Sequence, residues 1–213
     1  MRNYKVILFD LDGTITDTKE GIINSFKSAL SKFNIEEKNT EKLLKFIGPP
    51  LKNSFKSYNL DEKNVKLAID YYREYYSDRG IYENKIYDEI LNLLEYLKSK
   101  GKIMILATSK LIDFAEQILE NLKIHKYFYD IVGSNFEGTM VEKSDIISHI
   151  INKYSLNKDE IIMIGDREFD IIGANNNNID SVAVLYGFGD IDELKKHNPT
   201  YMVGNVNELK SIL

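Results

Sequence analysis

The sequence predicts an α/β fold: a doubly wound parallel sheet with an all-helical segment inserted after its first strand. Three observations carry this. Val6, Ile7, Leu8 and Phe9 form a continuous apolar run, the pattern of a strand buried on both faces. Beyond residue 85, similar runs alternate with amphipathic stretches of helical length, the signature of a parallel sheet with crossover helices. Between these two regions, residues 15 to 84 read as helices alone, with no strand pattern. The expected division is therefore a Rossmann-like core made of residues 1–14 and 85–213, with residues 15–84 as the insertion.

In chain order, the first strand stops at Asp10-Leu11-Asp12-Gly13-Thr14. Thr18 is placed to cap a helix with Ile22, Ile23, Phe26, Ala29, Leu30 and Phe33 at a period near 3.6. Thr40 is placed to cap a short helix carrying Leu43, Leu44 and Ile47, broken by Gly48-Pro49-Pro50. Asp61 starts a longer helix through Val65, Ala68, Tyr72 and Tyr76, ending near Gly80. In the second region the expected helices are 88–100, 111–123, 143–154, 168–176, 190–196 and 205–213. The expected strands are Ile103 to Ala107, Tyr129 to Val132, Ile161 to Ile164, Ser181 to Leu185 and Tyr201 to Val203.

Composition narrows the class. The chain has 213 residues, enough for one large domain or a domain with an insertion, and 43% hydrophobic content supports a packed core. A net charge of -5 argues against a nucleic-acid footprint. With no cysteine there is no disulfide framework, thiol nucleophile or Cys-based zinc site. The first strand begins almost at once, which leaves no room for a signal peptide, and no apolar run is long enough to span a membrane. A cytoplasmic location is the expectation.

The chemistry-bearing residues gather at strand ends. Asp10 and Asp12 follow the first strand, Thr108-Ser109-Lys110 the second, and Gly165-Asp166-Arg167-Glu168-Phe169-Asp170 the fourth, while Lys143 opens the helix before that fourth strand. In open parallel sheets ligands bind beyond the carboxyl ends of the strands, so these groups can converge on one crevice. Asp10, Asp166 and Asp170 can hold Mg²⁺, which takes hard oxygen ligands and a substrate phosphate oxygen. Hydroxyl and backbone N–H groups at Thr108 and Ser109, with the charge of Lys143, can hold the other phosphate oxygens. An aspartate nucleophile splits phosphoryl transfer into two steps, and a carboxyl two residues on can protonate the leaving oxygen and then activate water. The plainer reading of the first motif is a strand followed by an Asp-Gly turn.

The set DLDGT, TS, a lysine and GDREFD, in this order, resembles the haloacid dehalogenase superfamily, in particular its phosphoglycolate-phosphatase-like branch with a helical cap after the first motif. The resemblance implies that Asp10 is the nucleophile and Asp12 the general acid/base. It implies that Thr108 and Lys143 bind the transferring phosphoryl group. It also implies a Mg²⁺ site made by Asp10, the backbone carbonyl of Asp12 and Asp166, with Asp170 either ordering the metal's waters or supporting the ligands from outside. Ser144 stands where many relatives carry proline after the lysine. The cap is expected to set substrate choice, with Gly48-Pro49-Pro50-Leu51 either facing substrate or serving as a rigid turn. Tyr71, Tyr72, Tyr75 and Tyr76 are expected to pack helices. Lys110 and Arg167 read as solvated cations, Lys110 alternatively as a contact to a substrate anion, and Glu168 as a helix-start residue. His125, His149 and His197 form no triad or zinc set.

The expected activity is Mg²⁺-dependent hydrolysis of a small phosphomonoester, phosphoglycolate or a nucleoside monophosphate, with neither nucleic acid nor membrane as partner. The alternatives are a hexose-phosphate mutase or a pyrophosphatase on the same scaffold, or a non-enzymatic receiver-type signalling domain. Asp12 and the inserted helices weigh against a dehalogenase and a receiver domain respectively.

Overall fold

A computed structural model of the chain describes residues 2–135 and 140–213. Its elements run β1 (Val6–Phe9), β2 (Thr16–Asp17), α1 (Lys19–Ser31), α2 (Thr40–Leu44), α3 (Leu51–Lys56), α4 (Glu62–Asp78), β3 (Lys85–Ile86), α5 (Ile90–Ser99) and β4 (Ile103–Leu111). They continue with α6 (Ile112–Asn121), β5 (Asp130–Ser134), α7 (Lys143–Tyr154), β6 (Ile161–Gly165), α8 (Glu168–Asn177), β7 (Asp180–Val184), α9 (Ile191–Lys196), β8 (Tyr201–Val203) and α10 (Val206–Leu209). Backbone contacts divide the chain into two compact units, Met1–Asp17 with Ile86–Leu213, and Thr18–Lys85.

The first unit is built on a parallel six-stranded sheet of order β5-β4-β1-β6-β7-β8. β1 lies inside it, with Val6 opposite both Ile103 and Ile161 and Phe9 opposite both Leu106 and Ile164. A strand flanked on both edges and covered on both faces has no polar outlet, which is why Val6–Phe9 is apolar throughout. Successive side chains point to opposite faces. Val6 and Leu8 accordingly join Ile105, Ala107, Val132 and Met163 under Ile146, Ile147 and Ile150 of α7. Ile7 and Phe9 are buried on the other face. From β1 the chain winds outward through β4 to β5, and from β6 outward the opposite way through β7 to β8. The winding reverses between β1 and β6, and a crevice is expected outside the carboxyl ends of strands at such a reversal.

The second unit carries α1 to α4. Its centre is aromatic: the Phe26 ring lies 5.2 Å from Phe46, 4.9 Å from Phe55 and 5.0 Å from Tyr72. Tyr72 and Tyr76 are buried, as packing residues would be. Glu37 ties this unit's first loop together, accepting from Lys42 Nζ at 2.9 Å, Tyr58 OH at 2.9 Å and Asn39 N at 2.9 Å.

Several local expectations are corrected. The side-chain cap of α2 is Asn39, not Thr40, because Asn39 Oδ1 accepts from Lys42 N. Thr18 holds the N-cap position of α1, but its hydroxyl makes no capping bond. Helix α3 follows Pro50 directly, and two residues of strand, Thr16–Asp17, stand inside the stretch read as helical. β4 runs four residues past the end of its apolar stretch, from Ala107 to Leu111, with its register on β5 shifting there. No helix among the described residues is long and apolar enough to cross a membrane.

Candidate active site

The turn after β1 aims the first two carboxylates. Asp10 N still donates to Ile164 O at 2.9 Å, so Asp10 is anchored to the sheet. The Leu11 carbonyl then gathers Thr14 N, Ile15 N, Thr16 N and Thr16 Oγ1. Gly13 sits at φ +85°, a conformation that costs glycine nothing.

Lys143 opens α7 and points into the core with a side chain only 3% exposed. Its Nζ lies 2.8 Å from Asp10 Oδ1, 2.8 Å from Asp170 Oδ1 and 2.8 Å from the Ala107 carbonyl. Burial alone works against the charge of this ammonium, but Asp10 and Asp170 outweigh it and hold the lysine above its ordinary value. Asp170 is the third residue of α8, and its Oδ2 accepts from Arg167 N at 3.2 Å, closing the start of that helix. Its Oδ1 lies 2.8 Å from the Lys143 ammonium. Burial raises the Asp170 carboxyl, the nearby lysine pulls it down and Asp10 raises it again; the net result is about 6. Asp166, at the end of β6, is fully buried. Burial first, then the charges of Asp170 and Asp10, push it well above the usual carboxylate range.

Oxygens of Asp10, Asp166 and Asp170 all lie within 4.8 Å of one another. Three carboxylates against one ammonium leave an excess of negative charge in a nearly dry place. Such an arrangement either takes up protons or takes a cation. Hard oxygen donors of this kind fit Mg²⁺ or Ca²⁺.

The structure thus brings Asp10, Lys143, Asp166 and Asp170 together. Asp12 faces a different partner, with its Oδ2 taking Lys110 Nζ at 2.6 Å while its buried Oδ1 has no hydrogen-bond partner among the described residues. Lys110 is therefore not a solvated lysine; its side chain is 9% exposed. A signal for this stood in the sequence, since Thr108 and Lys110 are two apart and an extended chain puts them on one face. Thr108 is buried, and its Oγ1 accepts from Lys110 N at 3.3 Å. The Ser109 carbonyl accepts from Ser134 Oγ at 2.9 Å. Both residues follow Ala107, whose carbonyl holds Lys143, and among the described residues neither side chain is seen bonding the acidic cluster.

Arg167 is likewise not solvated, because Glu193 Oε1 takes its Nε at 2.8 Å and its side chain is 11% exposed. Glu168 starts α8 as expected, and its carboxylate lies 2.8 Å from His197. Phe188 is a contact that motif reading missed: its backbone N–H donates to Asp166 Oδ2 at 2.7 Å. The visible signal is the glycine pair at 187 and 189, just past β7.

In an α/β sheet the crevice at such a reversal is where ligands bind, here lined by acids and a buried lysine, and known proteins narrow the class. Residues 7–184 match the haloacid dehalogenase-like hydrolase family. A 5'-nucleotidase of Pseudomonas aeruginosa is 40% identical over 99% of this chain and 96% of its own length. The tyrosine-protein kinase PtkA of Mycobacterium tuberculosis is 32% identical over 98% of this chain and 72% of its own. The crystal structure of a predicted phosphatase from Clostridium acetobutylicum superposes with a TM-score of 0.93 at 48% identity, covering 99% of this chain and 98% of that one. The chain belongs to the haloacid dehalogenase-like hydrolase family. Within that family it is an enzyme of the phosphatase type.

Proposed function

We propose that the chain is a Mg²⁺-dependent phosphatase that hydrolyses a small phosphomonoester through an aspartyl phosphate on Asp10. The observation that carries this is the juxtaposition of Asp10 with a buried lysine and two further buried carboxylates at the end of β1. In this reading an Asp10 carboxylate oxygen attacks phosphorus while the bond from phosphorus to the ester oxygen breaks. Asp12 gives that oxygen a proton. Asp12 then takes a proton from water, water attacks the aspartyl phosphate, and inorganic phosphate leaves with Asp10 restored. Lys143 holds the nucleophile's orientation and offsets charge on the phosphoryl oxygens, with Thr108 and Ser109 as further phosphate contacts. Lys110 keeps Asp12 aimed between the two steps. Asp10, Asp166 and Asp170, with the Asp12 backbone carbonyl, would hold the cation, whose charge would offset that of the phosphoryl group.

The helical unit, residues 15–84 in the sequence reading, serves as the cap that selects substrate and excludes water, which favours small esters over nucleic acid or membrane partners. The 5'-nucleotidase relative makes nucleoside monophosphates the first class to try, with phosphoglycolate next. The cytoplasm is the compartment where such substrates occur.

The test is phosphate release from nucleoside monophosphates, phosphoglycolate, sugar phosphates and pyrophosphate, with Mg²⁺ or with EDTA, for wild type and Asp10→Asn. Release that needs both Mg²⁺ and Asp10 is the expected result, and activity retained by Asp10→Asn would sink the proposal. Preference for pyrophosphate would move the reading to a pyrophosphatase, and isomerisation of a sugar phosphate without release to a mutase. ATP with a tyrosine peptide belongs in the same panel because of the kinase relative.

A further inference from the structure

The segment Tyr186-Gly187-Phe188-Gly189, just past β7, belongs to none of the motifs above, yet it is built around Asp166. Phe188 N–H donates to Asp166 Oδ2 at 2.7 Å. The other carboxylate oxygen, Oδ1, faces Thr14 Oγ1 at 3.5 Å. Thr14 is itself tied to the segment, because Tyr186 OH donates to the Thr14 carbonyl at 3.0 Å. The Tyr186 ring is seated edge-on against Tyr87 with centroids 5.1 Å apart. Burial keeps the Tyr186 hydroxyl protonated, and so a donor, far above neutral pH. Gly187 is demanded by the close approach, since a Cβ there would overlap Asp166 Cβ and the Gly13 carbonyl. The segment therefore reaches Asp166 twice, directly at one oxygen and through Thr14 at the other.

We propose that the Tyr186–Gly189 loop is a positioning device for Asp166, fixing the rotation of its carboxylate and thereby setting the affinity of the acidic cluster for a divalent cation. This rests on the cation-binding reading proposed above. Asp166 is fully buried beside Asp10 and Asp170, so contacts from outside the cluster decide which way its carboxylate faces. Donors on both of its oxygens hold it in one plane, ready to ligate. Losing an outer contact to a ligating group costs about 10–100-fold in metal affinity. Tyr186 is the informative residue because its hydroxyl can be removed with the ring left in place.

The experiment is calorimetric titration of Mg²⁺, with no substrate, into wild type, Tyr186→Phe, Thr14→Val and the double variant, with circular dichroism in EDTA to check folding. Tyr186→Phe is expected to weaken Mg²⁺ binding about tenfold. Thr14→Val is expected to weaken it comparably, and the double variant no more than the weaker single, because both break one chain of contacts. Unchanged affinity in a folded Tyr186→Phe would overturn the proposal, and so would fully additive losses. Thr14→Val reads the same link from its other end, so the link stays testable if one variant fails to fold. Wild type that binds no Mg²⁺ would sink the cation reading together with this inference, whereas wild type that binds while Tyr186→Phe binds equally well would sink this inference alone.

Discussion

Lys143 meets three oxygens at 2.8 Å, from Asp10, Asp170 and the Ala107 carbonyl, which matches the three donors an ammonium offers. Replacing it with methionine keeps the stem and removes the charge, leaving Asp10 and Asp170 facing each other uncompensated. Removing one partner of a buried ion pair costs about 3–5 kcal/mol. Lys143→Met is therefore expected to melt well below wild type and to lose phosphate release, both read on the same preparation. The acids beside it give a pH signature. Asp166 and Asp170 are raised in the folded protein, Asp170 to about 6. Between the unfolded value near 3.9 and these folded values, the native state holds protons that the unfolded chain has released. Stability of the metal-free protein contributed by these groups is thus greatest at low pH and falls as pH rises through about 6. Melting in EDTA should show that negative slope between roughly pH 4 and 7, and Asp166→Asn should flatten it. A slope of opposite sign in this window would show that the acids are not protonated in the metal-free fold.

Caps and strand ends show where element-level reading reaches its limit. Periodicity over a dozen residues or more placed α4 and α7, and Asp61 caps α4 by accepting from Asn64 N as expected. The six residues of α3 are too few to display a 3.6 period, and the Pro-Pro pair ahead of them reads only as a break. At α2 the sequence offers Asn39 and Thr40 side by side, both good caps, and one residue of register decided between them. β4 continues as extended chain after its apolar run ends, and the polar Thr108, Ser109 and Lys110 hide that part of the strand from a reading based on apolar runs. These differences carry a prediction. Asn39→Ala removes a working cap and should cost about 0.5–2 kcal/mol in chemical denaturation. Thr18→Val removes a buried hydroxyl with no hydrogen-bond partner among the described residues and should be neutral or stabilising. Equal losses from the two would show that the Thr18 hydroxyl does find a partner in solution.

At the scale of the molecule, the acids were legible because sheet topology does the gathering. Once the apolar runs are read as parallel strands, their carboxyl ends fall on one side of the sheet, and the observed order sets the ends of β1 and β6, with Asp10 and Asp166, side by side. What sequence spacing does not reveal is which donors hold those acids. Lys110 on Asp12 and Phe188 N–H on Asp166 depend on side-chain reach and on a loop that has to fold back over β6. The gathered charge also couples the site to the stability of the whole chain. A cation that binds only the folded state stabilises it by RT ln(1 + [L]/Kd), about 2.7 kcal/mol at a hundred times Kd. For a chain of this length each kcal/mol moves the melting temperature by about 2–4 °C. Saturating Mg²⁺ at pH 7.5 is therefore expected to raise Tm by about 5–10 °C over the EDTA-treated protein. Asp166→Asn should abolish that rise while melting higher than wild type in EDTA, since it removes one of three mutually repelling buried acids. Scanning calorimetry of both proteins with and without Mg²⁺ decides it. Equal shifts in the two would place the cation away from Asp166, and no shift in wild type would leave the acidic cluster to be explained by protonation alone.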